Sequence, residues 1–287
     1  MAERLKVLKT YKIYIGGKFP RSESGRYYEL TGKNGKPIAN VSRSSRKDFR
    51  EAVVAARNAF GGWSERSAYN RGQILYRISE MLEGRRDQFI SELKLQGTAA
   101  GKAAKEVEAS IDRLIYYAGW ADKYQQIFSS VNPVSSPHFN FSVPEPTGVV
   151  TIIAPESSGL LGLISVVAPV IAGGNTCVVL ASHSLPLCAV TLAEVLHSSD
   201  VPGGVVNILT GIRSELIENF STHMDVNAIM YCGDDPAEIK QVQENASLNV
   251  KRSHILSTTH WEKEESQGPY QILDTQEIKT TWHPVGV

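Results

Sequence analysis

Between residues 145 and 256, short apolar runs alternate with polar turns and with longer stretches of helical pattern. The apolar runs begin near Val149, Thr176, Val205, Ala228 and Ser253, at intervals of 23 to 29 residues. A parallel strand needs a crossover connection, usually a helix, before the next strand, so this spacing indicates successive βαβ units. Because such crossovers are right-handed almost without exception, the pattern predicts an α/β fold with a doubly wound, Rossmann-like, mostly parallel sheet that is covered on both faces.

A layer of helices is predicted before this region. A β-forming run ends at Gly16-Gly17, which favours a hairpin turn. The first helix follows Ser45, where Asp48 three positions later gives nearly a capping box. A second helix is predicted over residues 70–96 and a third over residues 102–128, because each carries an apolar stripe at helical spacing. These helices are expected to pack against the sheet.

Two extended segments lie outside the sheet pattern. Phe139, Phe141 and Val143 alternate with polar neighbours, and a late extended segment is predicted from Tyr270 to Trp282. The residues between Leu256 and this late segment are polar and charged, which is typical of a linker. The predicted organisation is a discontinuous nucleotide-binding-type domain over 1–130 and 147–256, a small β oligomerisation arm over 131–146 and 268–287, and a linker over 257–267.

Composition excludes several classes of function. Lys plus Arg equals Asp plus Glu at 30 each, so the 287-residue chain has no basic excess for binding nucleic acid. The longest apolar stretch, residues 160–172, is too short to span a bilayer, and the N-terminus lacks the apolar run of a signal peptide. Three widely spaced cysteines show neither a disulfide framework nor zinc-ligand spacing. The chain is therefore expected to be cytoplasmic and to bind no metal, nucleic acid or membrane.

Several motifs, in chain order, resemble the aldehyde dehydrogenase superfamily. The strongest are Ala-Pro-Val-Ile-Ala-Gly-Gly-Asn-Thr at 168–176 and Val-Pro-Gly-Gly-Val-Val-Asn at 201–207. Glu-Pro-Thr-Gly-Val-Val at 145–150 resembles the first nucleotide-domain strand of that family, and Gln-Glu-Ile-Lys-Thr-Thr-Trp at 276–282 resembles its C-terminal strand. The resemblance implies the family's fold and its arm, which in the family lies against the catalytic domain of a neighbouring subunit. The second domain of the family, which bears the catalytic cysteine, has no counterpart here.

The first two functional motifs of the family are altered. The family's oxyanion-binding Asn lies in Pro-Trp-Asn-Phe, whereas this chain has Pro-Glu-Ser-Ser, in which Ser157 is shorter and Glu156 adds a negative charge. The Lys and Glu with which the family contacts the adenosine ribose correspond to Leu180 and His183. Leu180 cannot hydrogen-bond a ribose hydroxyl. His183 retains only a weak capacity for such a bond, and a surface or partly buried histidine is the favoured interpretation.

The remaining motifs are altered as well. The family's pyrophosphate-binding Phe-Thr-Gly-Ser corresponds to Tyr-Cys-Gly233-Asp234, and Asp234 or Asp235 is expected to cap the following helix with its own carboxylate. The segment after Lys251 lacks the family's general-base Glu. The three cysteines are interpreted as core residues, and the two aspartates beside the third, Cys232, are expected to raise its pKa. The site residues predicted on this basis are vestigial positions only, with no catalytic residue, no metal ligand and no cofactor expected: Ser157, Leu180, His183, Gly233 and Asp234.

The leading hypothesis is a non-catalytic, pseudoenzyme-like module. It is expected to assemble with a complete aldehyde dehydrogenase domain, in the same or another chain, through residues 131–146 and 268–287. The chain resembles the truncated, cysteine-less second module of the family-sixteen aldehyde dehydrogenases. One alternative is an NAD(P)-dependent aldehyde oxidoreductase with degenerate motifs, which rests on fold analogy alone. The other is a nucleotide or metabolite sensor that uses the remaining cleft.

Overall fold

The computed structural model of the chain describes residues 7–257 and 260–286. Those parts of the predicted segments that fall on residues 1–6, 258, 259 and 287 lie outside the described residues. The helices are α1 (Arg46–Ser64), α2 (Ala68–Glu83), α3 (Arg86–Leu95), α4 (Ala100–Trp120), α5 (Tyr124–Phe128), α6 (Leu161–Ala172), α7 (Leu187–His197), α8 (Arg213–Thr222), α9 (Pro236–Ser247) and α10 (Tyr270–Leu273). The strands are β1 (Thr10–Tyr11), β2 (Tyr27–Thr31), β3 (Pro37–Ser42), β4 (Ser130–Asn132), β5 (His138–Pro146), β6 (Val149–Ile153), β7 (Thr176–Leu180), β8 (Val206–Leu209), β9 (Ala228–Tyr231), β10 (Arg252–Ile255) and β11 (Gln276–Pro284).

The central sheet has five parallel strands in the order β10-β9-β6-β7-β8. Each strand begins within one residue of its predicted start. The chain winds outward from β6 in one direction to β8 and then in the other direction to β10. This is the doubly wound arrangement, and the predicted fold class is confirmed.

Both faces of the sheet are buried, and alternate residues of each strand point to opposite faces. Cys177 and Val179 join the core beneath α2, α4, α6 and α7. Val178 and Leu180 join the core beneath α1, α8 and α9. A parallel sheet covered in this way needs continuous apolar strands, since neither face meets water. Among the described residues, no helix is both long and apolar enough to cross a bilayer.

The start of α1 agrees with the sequence pattern. The Ser45 hydroxyl accepts a hydrogen bond from the Asp48 N–H, and the Asp48 carboxylate accepts one from the Ser45 N–H at 2.7 Å, which completes a capping box. Asp48 also accepts a hydrogen bond from the Ser22 hydroxyl at 2.7 Å. The helix start is therefore tied to the N-terminal turns.

The second and third predicted helices are each divided into two. The helix predicted over 70–96 breaks because Gly84 closes α2 with hydrogen bonds to Glu80 and Leu82, and α3 starts two residues later. Glycine costs about 1 kcal/mol inside a helix relative to alanine, and the break turns Phe89 into the core. The helix predicted over 102–128 is also divided, into α4 and α5, but here the residue that closes α4 is Ala121, whose N–H donates to the Tyr117 carbonyl.

The segment that leads into a two-residue turn covers one edge of the central sheet. Gly16 and Gly17 both have positive φ, at 58° and 80°, as the hairpin prediction requires. The backbone of Tyr14, just before this turn, exchanges two hydrogen bonds with Ile208 of β8 at 2.8 Å each. The outer edge of β8 is therefore covered by the N-terminal segment.

Strands β4, β5 and β11 form a separate antiparallel sheet, called the arm below. Strand β11 pairs along the full length of β5, from Gln276 opposite Pro146 to Pro284 opposite His138. The sequence predicted an extended segment from Tyr270 to Trp282, and its first part is wrong. Tyr270–Leu273 forms α10 and buries Ile272 against α6. The extended part begins at Gln276. The domain boundaries drawn from the sequence stay a prediction.

The base of the arm is fixed by a buried amide. The Asn175 side-chain oxygen accepts hydrogen bonds from the Gly148 N–H at 2.9 Å and from the Thr147 hydroxyl at 3.2 Å. Its side-chain nitrogen donates to the Thr275 carbonyl at 2.9 Å. Asn175 is fully buried, and it joins the start of the sheet to the residue that precedes β11.

The turn between α9 and β10 holds a valine in an unusual conformation. Val250 has φ of 55°, in the left-handed region, and its N–H donates to the Ser247 carbonyl while the Lys251 N–H donates to Ala246 at 3.0 Å. This helix-ending geometry normally takes glycine, because a β-branched residue is strained there. Strain of this kind costs about 1–3 kcal/mol, and yet the Val250 side chain is 91% exposed.

A carboxylate is buried between α3 and α7. The Glu92 Oε1 accepts hydrogen bonds from the hydroxyls of Tyr11 and Thr191, each at 2.8 Å. Burial raises the pKa of Glu92 above its ordinary value, although these hydrogen bonds oppose the shift. No lysine or arginine forms an ion pair with Glu92 within the described ranges.

We expect Asn175→Ala to lower the free energy of unfolding by about 3 kcal/mol, because it leaves the buried Gly148 N–H and the Thr275 carbonyl without partners. Urea denaturation followed by circular dichroism measures this. Asn219→Ala is the control, since the Asn219 amide makes only a long 3.4 Å bond within α8. An equal effect of the two substitutions would contradict the proposed role of Asn175.

We expect Glu92→Gln to stabilise the chain at neutral pH by about 1 kcal/mol, because it removes an unpaired buried charge but keeps an acceptor oxygen. A raised carboxyl pKa gives the wild type stability that is complete below the unfolded-state pKa and is lost as the pH rises through the folded-state pKa. The advantage of Glu92→Gln should therefore vanish as the pH falls toward the ordinary glutamate value of 4.5. Melting temperatures measured from pH 4 to pH 8 test this, and an advantage independent of pH would refute it.

Candidate functional site

The carboxyl ends of β6 and β9 open into a cleft of about 470 Å³. The chain reverses its winding direction between these two strands, and ligands of doubly wound sheets bind at such a point. The cleft is lined by Pro155, Glu156, Ser157, Arg213, Cys232, Gly233, Asp234, Leu256, His260 and Trp261.

The structure brings three of the five predicted site residues together. Ser157, Gly233 and Asp234 all line the cleft. Leu180 does not, because its side chain is buried in the core beneath α1. His183 lies outside the cleft as well, and its ring contacts that of Tyr28 in a tilted arrangement with centroids 4.5 Å apart.

The Glu156 carboxylate occupies the space at the carboxyl end of β7. It accepts hydrogen bonds from the Ser182 hydroxyl at 2.7 Å, from the His183 N–H at 2.9 Å, and from both the N–H and the hydroxyl of Ser184. Burial by itself raises the pKa of Glu156, but these hydrogen bonds outweigh it, and the net pKa is lowered. Glu156 is therefore ionised at neutral pH, and its carboxylate is held by the loop after β7.

The N-terminus of α9 carries a second carboxylate. Asp235 Oδ1 accepts hydrogen bonds from the N–H groups of Ala237 at 2.8 Å and Glu238 at 3.1 Å, with Pro236 in the first turn. The predicted cap is confirmed, and it is Asp235 that forms it. Asp234 remains exposed at the mouth of the cleft. The N–H groups that attract an anion at a free helix end are therefore already bonded.

A third carboxylate caps α6. Glu106 Oε1 accepts hydrogen bonds from the Ser158 hydroxyl at 2.7 Å and from the N–H groups of Leu160 at 2.9 Å and Leu161 at 3.3 Å. Sequence reasoning missed this contact, because Glu106 lies within α4, more than 50 residues earlier. No local pattern connects a residue inside one helix with the end of another.

Arg213 is the cation of the cleft. Its guanidinium lies 3.6 Å from Glu156 and 3.4 Å from Glu238, donates to the Ala154 carbonyl at 3.1 Å, and is largely buried. It also lies over the Tyr231 ring, 5.5 Å from the centroid. Its position four residues after the end of β8 was the available signal, since residues just beyond parallel strands line such clefts.

The described part of the predicted linker is packed rather than free. Trp261 is buried in the main core, and its carbonyl accepts a hydrogen bond from Arg113 at 2.9 Å. Arg113 also donates at 2.9 Å to the carbonyl of Ser266, which is the last residue of a 3-10 turn over Glu264–Ser266. A lone tryptophan in a polar run was the signal for this packing.

All three thiols are buried. Burial raises the pKa of each, that of Cys232 to about 12, while Arg213 acts in the opposite direction on Cys232. The expectation that neighbouring aspartates raise the Cys232 pKa is wrong, because burial causes the shift. Thiolate is the nucleophilic form, so these side chains are unreactive at neutral pH. Within residues 7–257 and 260–286, no three His, Cys, Asp or Glu side chains cluster in a way that could hold a metal ion.

Residues 19–257 match the model of the aldehyde dehydrogenase family. The chain belongs to the aldehyde dehydrogenase family. It is 33% identical over 249 residues to the cytosolic 10-formyltetrahydrofolate dehydrogenase of Pongo abelii, covering 84% of this chain and 28% of that protein. It is 31% identical over 256 residues to the omega-crystallin of Enteroctopus dofleini, covering 86% of this chain and 50% of that protein.

The fold comparison agrees with the family assignment. The NAD+ complex of an aldehyde dehydrogenase from Bacillus cereus superposes with a TM-score of 0.82 at 25% identity, covering 87% of this chain and 51% of that one. This member of the aldehyde dehydrogenase family therefore spans about half the length, or less, of the relatives that it matches. The match to the family model, over residues 19–257, covers the sheet domain and its helical layer.

We expect none of the three cysteines to be alkylated by iodoacetamide in the native protein at pH 7.5, because a buried thiol with a raised pKa is protonated. All three should react in guanidinium chloride. Intact-mass spectrometry counts the added groups. Rapid modification of one cysteine in the native state would contradict the burial argument and would make that residue a candidate nucleophile.

Proposed function

We propose that this chain is a non-catalytic aldehyde dehydrogenase module whose arm assembles with a complete aldehyde dehydrogenase domain. The observation that carries the proposal is the uncovered arm. Its outer strand β11 has one edge paired with β5, and the other edge is unpaired within the described residues. Such an edge is a template for strand addition from another domain.

Exposed apolar side chains on the arm support this assignment. Ile278 and Trp282 lie on one face of β11 and are 58% and 57% exposed. Val131 of β4 and Phe139 of β5, on the other two strands of the arm, are also exposed. Large apolar side chains beside a free edge favour a protein partner, because they provide anchors while the backbone provides hydrogen bonds.

The charges of the cleft support a non-catalytic role. Carboxylates of the chain itself occupy the end of β7 and the N-termini of α6 and α9. A dinucleotide pyrophosphate carries negative charge and needs free N–H donors, so these residues do not fit the NAD(P) that the family implies. The buried thiols offer no nucleophile. The resemblance to the truncated module of the family-sixteen enzymes points in the same direction.

A sensor function has one observation in its favour. Arg213 and Trp261 both line a cleft of about 470 Å³, and this combination of a cation and an aromatic ring suits a small anionic ligand. The carboxylates of Glu156 and Glu238, which both form ion pairs with Arg213, compete with such a ligand for the guanidinium. We therefore rank the sensor second and the oxidoreductase third.

The arm proposal is tested with Ile278→Ser/Trp282→Ser. Both side chains are exposed, so the fold should be retained while binding loses its anchors. The partner is a complete aldehyde dehydrogenase domain of the source organism, taken from the same polypeptide where one is present. Light scattering after size exclusion, and titration calorimetry, should show a complex with the parent chain and about tenfold weaker affinity with the variant.

Tyr76→Ser is the matched control, because Tyr76 is 51% exposed on α2, away from the arm. It should bind like the parent. Equal affinity of the arm variant and the parent would refute docking through the arm. Turnover of propanal with NAD+ by the isolated chain would favour the oxidoreductase, whereas thermal stabilisation by NAD+ without turnover would favour the sensor.

A further inference from the structure

Beside the cleft lies a second cavity of about 420 Å³, between the N-terminal parts of α4 and α6. The side chain of Trp261 lines both spaces and forms a wall that they share. This wall follows the end of the family match at residue 257, so it is supplied by the segment that stands in place of the family's second domain. The space is called the indole cavity below, and its lining includes Lys102, Lys105, Glu106, Leu161, Leu185 and Trp261.

The indole nitrogen of Trp261 is a hydrogen-bond donor without an acceptor. Trp261 is only 7% exposed, yet its Nε1–H bonds to no group within the described ranges. The nitrogen is not enclosed by protein, in contrast to the unbonded side-chain oxygen of Gln271. It lies beside Ser158, because a β-carbon built on Gly162 would come within 3.1 Å of both. An unbonded donor on a mostly buried side chain favours a ligand that carries an acceptor oxygen.

Two ammonium groups of the indole cavity also lack partners. Lys102 and Lys105 are exposed, and both line the cavity from α4. Neither forms an ion pair or a side-chain hydrogen bond in the part of the chain that the structure describes. Because residues three apart lie on the same face of a helix, the two positive charges act on the same space.

The carboxylates of the indole cavity are less available than its cations. Glu106 accepts the three hydrogen bonds that cap α6. Glu262 lies 3.8 Å from the His260 ring, and its side chain is 72% exposed, so water and salt screen its charge. The groups left without partners are therefore two cations and one N–H donor, and charge-assisted hydrogen bonds from such groups favour an anion.

The indole cavity also has an apolar side. Leu161 and Leu185 line it together with Trp261, and its volume lies in the range of small-molecule sites. Apolar walls of this kind gain free energy by covering an aliphatic group, which an inorganic ion does not have. The lining therefore indicates an organic anion with an apolar chain.

We propose that the indole cavity binds a small carboxylate that carries a short aliphatic chain. The carboxylate oxygens accept hydrogen bonds from the ammonium groups of Lys102 and Lys105 and from the indole N–H of Trp261. The aliphatic chain packs on Leu161 and Leu185. The site is separate from the arm and does not depend on the assembly proposed above.

Calorimetric titration of the full chain with hexanoate tests the chemistry of the ligand. A Kd of about 0.1–1 mM is expected, since a ligand of this size makes few contacts. The uncharged 1-hexanol should bind at least about tenfold more weakly, and hexylamine should not bind. Inorganic phosphate, which lacks the chain, should also bind at least about tenfold more weakly than hexanoate.

The comparison of these probes can overturn each part of the proposal. Equal affinity for 1-hexanol and hexanoate would overturn the assignment to an anion. Equal affinity for phosphate and hexanoate would overturn the assignment of an apolar chain. Absence of hexanoate binding at concentrations up to about 10 mM would overturn the proposal as a whole.

Two variants locate the ligand in the molecule. Lys102→Gln/Lys105→Gln removes two charges from exposed side chains, and it should weaken hexanoate binding about tenfold. Trp261→Phe keeps an aromatic ring but lacks the N–H, and it should weaken hexanoate binding about fivefold. Lys12→Gln/Lys36→Gln is the matched control, because both lysines are exposed and neither lines the cavity; it should bind like the parent.

The lysine variant decides the location even where Trp261→Phe fails to fold. Unchanged hexanoate affinity in Lys102→Gln/Lys105→Gln would place the ligand elsewhere and overturn the proposal. An equal loss in Lys12→Gln/Lys36→Gln would indicate a general effect of charge and would also overturn it.

The arm proposal has a separate readout. Lys102→Gln/Lys105→Gln should bind the complete aldehyde dehydrogenase domain like the parent. Ile278→Ser/Trp282→Ser should bind hexanoate like the parent. Failure of one proposal therefore leaves the other standing.

Discussion

The position of the arm depends on one buried amide. Asn175 has its oxygen on Gly148 and its nitrogen on Thr275, so the strand that starts the sheet and the strand that ends the arm share one side chain. Inside a protein, such bonds are strong because no water competes for them, and any missing partner is costly. The arm is therefore held at its base by the sheet domain itself, and its orientation does not rely on a partner.

At the carboxyl ends of the strands, side-chain carboxylates of the chain itself occupy the positions where anions could bind. Three carboxylates at the ends of β7, α6 and α9 satisfy the donors that these ends expose. Arg213 balances part of that charge between Glu156 and Glu238. Helix ends need a hydrogen-bond partner, and either a ligand or a side chain can provide it. In this chain the fold obtains stability from contacts that could otherwise serve a bound anion.

The sheet could be predicted from the sequence because each βαβ unit has a local sequence signal, an apolar run followed by a turn. The Ser45 cap and the turn at Gly16-Gly17 were equally local. The roles of Glu106 and Arg113 could not be predicted, because their partners lie more than 50 residues away and no periodicity links them. The break at Gly84 was visible but was outweighed by the apolar stripe. Contacts between charged groups that are far apart in the sequence can be identified only once the three-dimensional structure is known.

The covered edge of β8 has a consequence for how the molecule is made. The backbone of Tyr14 hydrogen-bonds to that of Ile208, nearly 200 residues later in the chain. The segment around Tyr14 can therefore adopt its final position only after β8 has formed. Contacts of such high sequence separation form slowly, because the intervening loop must close first. During synthesis on the ribosome, the segment around Tyr14 thus emerges long before β8 but is immobilised only after β8 has formed. Until the segment around Tyr14 has docked, the outer edge of β8 has unpaired backbone groups, and the nascent chain is prone to aggregation at that stage.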